Sequence, residues 1–264
     1  MDLDGAKVWV TRPAGQADRL CTLINNAGGE AIQFPVTTIT VSEDTGQAVA
    51  ALNDVAGFSH IIFISRNAVK FAFELVPDLA VRMGERPVFA VGGATREALE
   101  KNGVCGVHVC SDQGGSEGLL ELEQLKGAAL ATADILIVRG SGGRDLLEKE
   151  LRRRGAKVRY AEVYRRKLPD REPGAVAAFW RDNKPDMIVV TSVEGLHNLV
   201  ELTGEDHRKA LLETALVVIS GRTGDAAVNL GFVQRPVVAA ETSDEGLLKA
   251  VLKTAELQHN EHRS

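Results

Sequence analysis

The run Ile135-Leu136-Ile137-Val138 ends in Arg139-Gly140-Ser141-Gly142-Gly143-Arg144-Asp145, and an apolar-periodic segment begins at once with Leu146-Leu147. A short aliphatic run, a glycine-rich turn and an amphipathic segment in direct succession are how a buried parallel strand hands over to a helix. The turn carries two arginines, and its small residues have backbone N–H groups that can face an anion. The same design stands near the N-terminus, where Val8-Trp9-Val10 leads into Thr11-Arg12-Pro13-Ala14-Gly15. A helix is predicted there over 16–27, with Leu20, Leu23 and Ile24 on one face and Gly28-Gly29 to end it.

The rest of the chain repeats in the same way. Ile61-Ile62-Phe63-Ile64-Ser65 lines up with Ile188-Val189-Val190-Thr191-Ser192, and Val88-Phe89-Ala90-Val91-Gly92 with Val217-Val218-Ile219-Ser220-Gly221. Glu117-Gly118-Leu119-Leu120 returns nearly letter for letter as Glu245-Gly246-Leu247-Leu248. The offset is close to half the chain each time, far longer than a solenoid repeat. With 264 residues there is room for two domains of ordinary size. The pattern predicts an internal duplication: two β/α copies, each a parallel sheet with helices on both faces and right-handed crossovers.

Two extended stretches fall outside the helical pattern, Ala31-Ile32-Gln33-Phe34-Pro35-Val36-Thr37-Thr38-Ile39 and the residues from Lys157 to Pro169. Pro35 argues against a central strand. Because the two stretches follow equivalent helices and alternate polar with apolar, they are expected to pair as a ladder between the lobes, with Tyr164 near a cleft beside it. The polar tail holding His259 and His262 is expected to be disordered.

A net charge of −5 without a long basic stripe argues against nucleic acid, and no basic amphipathic helix suggests a membrane surface. Cys21, Cys105 and Cys110 are too scattered for a disulfide framework or a zinc site and read as free thiols. No signal pattern and no bilayer-length apolar run is present, so a soluble cytoplasmic protein is expected.

In parallel α/β sheets ligands bind at the carboxyl ends of the strands. Those ends here hold Thr11, Arg12, Ser65, Arg66, Asn67, Gly92, Thr95, Arg139, Gly140, Ser141, Thr191, Ser192, Glu194, Ser220, Arg222 and Thr223. Hydroxyls, amides, glycines and arginines suit the binding of many carboxylates or phosphates. They suit hydrolysis poorly, since no Ser/His/Asp set, carboxylate pair or metal cluster stands out. Each residue has a plain alternative: a serine after a strand caps a helix, a loop arginine is solvated, and Tyr164 is a half-buried cross-strand aromatic. Recurrence of the same chemistry in both halves favours the binding reading. Gly140-Ser141-Gly142-Gly143-Arg144-Asp145 begins like a dinucleotide fingerprint but has Asp145 in the third glycine position, and no Walker lysine follows. The histidines do not converge: His60 opens a strand, His108 lies in a short one, and His197 falls on a helix.

Taken in order, Val10-Thr11-Arg12-Pro13 with Gln16-Ala17, Ile62-Phe63-Ile64-Ser65-Arg66-Asn67-Ala68-Val69, Ala90-Val91-Gly92 with Thr95, and Ile137-Val138-Arg139-Gly140 with Gly143-Arg144 resemble the uroporphyrinogen-III synthase family. Glu162-Val163-Tyr164, Val190-Thr191-Ser192 and Ser243-Asp244-Glu245-Gly246-Leu247-Leu248 extend the resemblance over nearly the whole chain. Each motif alone is weak; their order and spacing are specific. The resemblance implies two flavodoxin-like parallel-sheet α/β lobes joined by a two-stranded β-ladder. It also implies a crossing of the chain that the repeat does not reveal. One lobe would hold residues 1–36 and 168–264, the other 37–167, with ladder linkers near 31–39 and 157–168.

The resemblance further implies a lyase that cyclises hydroxymethylbilane to uroporphyrinogen III, with loss of water and inversion of ring D, in a cleft between the lobes and without metal or organic cofactor. Tyr164 matches the tyrosine of the family's Glu-Val-Tyr position and is expected to assist departure of the hydroxyl. Arg12, Ser65, Asn67, Gly92, Thr95, Arg139, Gly140, Thr191, Ser192, Ser220, Arg222 and Thr223 are expected to orient the substrate's carboxylates, or, for Arg12 and Arg139, to support the loops. A monomer is expected. The rival readings are a non-catalytic two-lobed protein that binds a polyanionic small molecule, and a two-lobed glycosyltransferase, which would need a nucleotide-sugar site.

Overall fold

A computed structural model describes residues 2–110, 115–143, 145–172 and 174–261. Arg144 and His262, both singled out in the sequence, lie outside the described residues. The chain runs β1 (Lys7–Val10), α1 (Asp18–Asn26), β2 (Glu30–Gln33), β3 (Thr38–Val41), α2 (Gly46–Asn53), β4 (His60–Phe63), α3 (Arg66–Leu75), α4 (Leu79–Met83), β5 (Val88–Ala90), α5 (Gly93–Lys101) and β6 (His108–Val109). It continues with α6 (Ser116–Leu120), β7 (Asp134–Gly140), α7 (Leu146–Arg153), β8 (Lys157–Lys167), α8 (Ala175–Asp182), β9 (Met187–Val190), α9 (Val193–Glu213), β10 (Ala215–Val218), α10 (Gly221–Asn229), β11 (Val237–Val238) and α11 (Asp244–Glu261). No helix among the described residues is long and apolar enough to cross a membrane.

These elements form two compact units, Met1–Thr38 with Lys167–Ser264, and Ile39–Arg166. The first is built on a five-stranded sheet in the order β11-β10-β9-β1-β2. Neighbouring strands are parallel throughout, with Val8 opposite Met187 and Ala215 opposite the same residue on the far side. β9 and β10 are buried along their whole length, as aliphatic strands covered on both faces must be. Alternation sends Val8, Val10, Met187, Val189, Ala215 and Val217 to one face, under Leu20 and Ile24 of α1 and Leu247 and Val251 of α11. Trp9, Ile188, Val190, Leu216 and Val218 go to the other, under Trp180, Leu196, Leu199 and Ala227 from α8, α9 and α10.

The second unit has a six-stranded sheet in the order β3-β8-β7-β4-β5-β6. Ile61, Phe63, Leu136, Val138, Ala161 and Val163 pack under α2 to α5 on one face. Ile62, Phe89, Ile135, Ile137 and Val158 pack under α6 and α7 on the other.

With β3 set aside, the two sheets share one strand order: β11-β10-β9-β1-β2 corresponds to β6-β5-β4-β7-β8. The strands that match in sequence take matching places. The repeat alone would assign consecutive halves of the chain to separate units. Instead β1 pairs with β9, so the first strands complete the C-terminal sheet. Periodicity tells that β1 is buried on both faces but cannot tell which sheet flanks it. In each unit the order of strands reverses between two central neighbours, β1 and β9 in one, β4 and β7 in the other. Such a switch point opens a crevice at the carboxyl ends, where α/β sheets bind ligands.

The first extended stretch is divided. Ala31, Ile32 and Gln33 belong to β2 and pair with β1. Only Thr38–Val41 borders β8. Pro35, which has no N–H to give a ladder, lies between the two segments. The C-terminal tail differs from expectation: α11 runs to Glu261 and includes His259, whose Nδ1 lies 2.9 Å from the Ala255 carbonyl oxygen. Burial of Val251, Thr254 and Ala255 supports these last turns, which a reading of charge alone overlooks.

Candidate active site

At the carboxyl end of β4, Ser65 is the N-cap of α3, and its Oγ accepts a hydrogen bond from the Ala68 N–H at 3.1 Å. The same oxygen lies 3.2 Å from the Tyr164 hydroxyl. Tyr164 is 3% exposed and stacks on Phe71 with ring centroids 5.8 Å apart. Asn67 sits half-buried in the first turn of α3. At the end of β5, Gly92 caps α5 with no side chain, and Thr95 is buried behind it. A Cβ placed on Gly92 or Gly93 would meet nothing within 4 Å, and neither residue has a positive φ. The start of α5 is therefore open, and the chain's own packing does not require glycine there.

The end of β7 is organised by Arg139, which is 4% exposed. Its guanidinium donates to the carbonyls of Gly140, at 3.1 Å, and Gly142. It pairs with Asp145 at 3.5 Å and Glu162 at 4.0 Å, and lies over the Tyr160 ring at 4.5 Å. The turn it grips is made by Gly142 and Gly143 at φ 73° and 99°, the left-handed region that favours glycine. Ser141 completes the loop: its N–H donates to the Tyr164 carbonyl at 2.7 Å, and its hydroxyl lies 3.0 Å from that of Ser42.

Tyr160 donates its own hydroxyl to Glu148 at 2.7 Å. Burial, followed by that hydrogen bond to a carboxylate, pushes its pKa up to about 12. From about pH 10, the ordinary tyrosine value, to about 12, the folded state keeps a proton that the unfolded state loses. Stability accordingly falls as pH rises through that window. Tyr160→Phe is expected to flatten this fall, measured as the change in urea midpoint between about pH 9 and pH 11. An equally steep fall in the variant would assign the dependence to other groups.

In the first unit, Thr11 ends β1 with its hydroxyl on the Val189 carbonyl at 2.8 Å. Arg12 pairs with Asp244 at 2.5 Å, both side chains largely buried. Thr191 follows β9. Ser192 caps α9 by accepting from the Gly195 N–H at 2.9 Å. Ser220 caps α10 by accepting from the Thr223 N–H at 3.3 Å, with Thr223 buried beneath it. Arg222 is exposed in the first turn of α10, and Gly221 before it leaves open space, as Gly92 does.

The structure thus places Ser65, Asn67, Gly92, Thr95, Arg139 and Gly140 at strand ends of one unit, and Tyr164 within β8 opposite Gly140, the last residue of β7. Arg12, Thr191, Ser192, Ser220, Arg222 and Thr223 lie at strand ends of the other. Ser65, Ser192 and Ser220 are all helix caps, as their plain reading has it. Arg12 and Arg139 spend their donors on neighbouring protein groups. His60 and His108 flank Phe89 as stacked rings, and burial lowers the His60 pKa, so both serve packing. Sequence reasoning missed Ser42, which carries no local signal, and the pairing of Tyr160 with Glu148. It also missed Asp244 as the partner of Arg12, although Asp244 stood within a quoted motif.

Open helix starts beside hydroxyls, in sheets with a switch point, can receive several carboxylates without any charged group being unpaired beforehand. A phenol within hydrogen-bond distance of a serine hydroxyl, as Tyr164 is of Ser65, is a group that can give up a proton.

A family model described as uroporphyrinogen-III synthase HemD matches residues 18–249. Uroporphyrinogen-III synthase of Escherichia coli (strain K12) is 30% identical over 246 residues, covering 92% of this chain and 99% of the relative. That of Salmonella typhimurium (strain LT2) is similar to the same extent, 30% over 246 residues. Among solved structures, uroporphyrinogen-III synthetase from Helicobacter pylori 26695 superposes with a TM-score of 0.63 at 16% identity, over 95% of this chain and 99% of that one. A mutant uroporphyrinogen III synthase from the extremely thermophilic bacterium Thermus thermophilus gives 0.61 at 20% identity, over 96% and 100%. The two structures speak for the fold; the family model and the near end-to-end relatives go further, and the chain belongs to the uroporphyrinogen-III synthase family.

Proposed function

We infer that the chain is a uroporphyrinogen-III synthase of tetrapyrrole biosynthesis, a lyase that cyclises hydroxymethylbilane to uroporphyrinogen III. Its membership of the family carries this reading. The substrate's eight carboxylates would be oriented by the open starts of α5 and α10 and by the hydroxyls and backbone N–H groups around Ser65, Thr95, Thr191, Ser192, Ser220 and Thr223. Two findings support this: glycines at Gly92, Gly93 and Gly221 that the fold itself does not require, and a net charge of −5, which leaves recruitment of a polyanion to local donors. Asn67 and Arg222 are assigned to the same set, while Arg12 and Arg139 act by holding loops. A cytoplasmic monomer acting on a free small molecule is the setting we propose; the unpaired thiols Cys21, Cys105 and Cys110 support a reducing compartment.

The reaction makes three demands. The C–O bond on ring A breaks with its electron pair on oxygen, and a proton delivered to that oxygen lets it depart as water. The azafulvene cation left behind is then attacked by the substituted carbon of ring D. The resulting spiro intermediate reopens and recloses with ring D inverted, and the α-carbon of ring D gives up its proton as the pyrrole is restored, which balances the proton spent on the departing hydroxyl. Because the unguided substrate cyclises without inversion, orientation supplies most of the catalysis. The Tyr164 hydroxyl is the proton donor in this reading, on the strength of its hydrogen-bonded contact with Ser65 at a strand end.

The test is an assay with freshly made hydroxymethylbilane, followed by oxidation of the products and separation of type I and type III uroporphyrin. The wild-type chain is expected to give predominantly type III. Type I alone, at the spontaneous rate from folded protein, would leave the binding-protein reading. Tyr164→Phe is expected to lower kcat about tenfold, below the roughly 10²–10⁴-fold typical of general-acid effects because the hydroxyl also departs unaided. Full turnover would remove Tyr164 as the donor.

A further inference from the structure

Tyr164 is on the face of its sheet where strict alternation would not put it. Along β8, Val158 and Tyr160 pack on the side of α6 and α7, and Ala161 and Val163 on the side of α2 to α5. An even-numbered residue should fall with Val158 and Tyr160. Tyr164 instead packs with Ala161 and Val163. The register explains this. Arg139 faces Glu162, but Gly140 faces Tyr164, so β8 holds one residue more than β7 across this step. That extra residue is a β-bulge, the device by which a strand re-aims a side chain. It turns the tyrosine from the Arg139 side of the sheet toward Phe71 and Ser65.

The re-aimed ring then needs room against β7. Gly140 lies on the same face, in ordinary strand backbone without a positive φ, so conformation is not what demands glycine. Space is. A Cβ built on Gly140 would stand 2.5 Å from both Cε2 and Cζ of Tyr164 and 3.0 Å from Cδ2. Cζ is the atom that carries the hydroxyl. Phe71 stacks against the same ring, and the residue is buried, so the ring cannot yield without carrying its oxygen away from Ser65.

Building on the reading of Tyr164 as proton donor, we propose that Gly140 is a positioning residue for the reaction. Together with the bulge in β8, its bare backbone fixes where the Tyr164 hydroxyl is presented. Gly140 thereby acts through Tyr164 rather than through a contact of its own with substrate carboxylates.

The experiment is a double-mutant cycle on turnover and isomer ratio, using Gly140→Ala, Tyr164→Phe and the double variant, each checked for folding by circular dichroism. Gly140→Ala is expected to lower kcat about tenfold with KM within about twofold, since the donor moves while carboxylate binding stays. Added to Tyr164→Phe, it is expected to lower kcat less than about twofold further, because a phenyl ring has no hydroxyl to misplace. A merely structural role would multiply the losses in the two backgrounds, and that result would overturn the proposal. So would wild-type kcat in Gly140→Ala. Full turnover in Tyr164→Phe would instead defeat the donor reading on which the proposal stands, and the cycle separates the two failures. Should Gly140→Ala not fold, Phe71→Leu loosens the ring from its opposite side, and the same non-additivity with Tyr164→Phe is expected; multiplicative losses there would equally overturn the proposal.

Discussion

Trp9→Ala is expected to destabilise the first unit by about 3–5 kcal/mol, a large share of the 5–15 kcal/mol that holds a typical domain. Trp9 is fully buried in the middle of β1, which runs between β9 and β2. Its indole stacks on Phe34 at 4.3 Å, meets Trp180 edge-on at 4.9 Å and touches Phe179 at 5.3 Å. Its Nε1–H donates to the Asn183 carbonyl at 2.7 Å. Truncation therefore empties a cavity walled by three rings and removes a hydrogen bond. Phe34 follows β2 directly and Phe179 and Trp180 stand on α8, so collapse into the void would have to shift two separate elements at once, which keeps the cost near the upper end of large-to-small substitutions. Trp9→Phe refills most of the space and loses the donor, at an expected cost of about 1–2 kcal/mol. Both tryptophans of the chain lie in this cluster, so Trp180 fluorescence reports the unit directly in urea titrations of the variants. A midpoint for Trp9→Ala equal to that of Trp9→Phe would show that the cluster closes over the hole.

That prediction rests on a strand readable from sequence, and the contrast with Tyr164 shows where reading stops. Val8-Trp9-Val10, Ile135 to Val138, Ile188 to Val190 and Leu216 to Val218 are uninterrupted apolar runs, and runs of this kind become central parallel strands because no polar face is left for water. The turns after them are legible for a similar reason: Gly142 and Gly143 are needed at positive φ, and Ser65, Ser192 and Ser220 are needed as caps. Hence the strand ends, and most of the candidate site, could be named in advance. The bulge in β8 could not, since one extra residue in a ladder leaves no mark on composition or period; it only makes the alternation disagree with itself at Tyr164. Nor could the ion pair of Arg12 with Asp244, whose partners stand 232 positions apart and meet because β1 completes a sheet made from the other end of the chain. Gly140 was legible as a turn glycine, which is the wrong reason: it sits in the strand, and its missing Cβ makes room for a ring.

Arg139→Ala is expected to cost the second unit about 2 kcal/mol, and the size follows from what stays behind. Charge-assisted hydrogen bonds to the Gly140 and Gly142 carbonyls are each worth roughly 1.5–3 kcal/mol, and the cation over Tyr160 adds about 0.5–2. Against this stands the cost of keeping a guanidinium 4% exposed, several kcal/mol that deletion returns. Asp145 and Glu162 are about half exposed and rehydrate when the cation is gone, so no buried charge is stranded, and the loss stays below the 3–5 kcal/mol of a broken buried pair. The carbonyls are the decisive partners, because they need two donors at once from one planar group. Lysine offers a point charge on a flexible stem and cannot span them. Arg139→Lys is accordingly expected to fall as far as Arg139→Ala, whereas Arg139→Met, which keeps an apolar stem against Tyr160 and buries no charge, should fall less than either. Both tyrosines belong to this unit, so near-ultraviolet tyrosine signals follow its unfolding as fluorescence follows the other. Wild-type stability in Arg139→Lys would mean that the loop needs a positive charge at the end of β7, and that the fork of donors holding Gly140 and Gly142 is incidental.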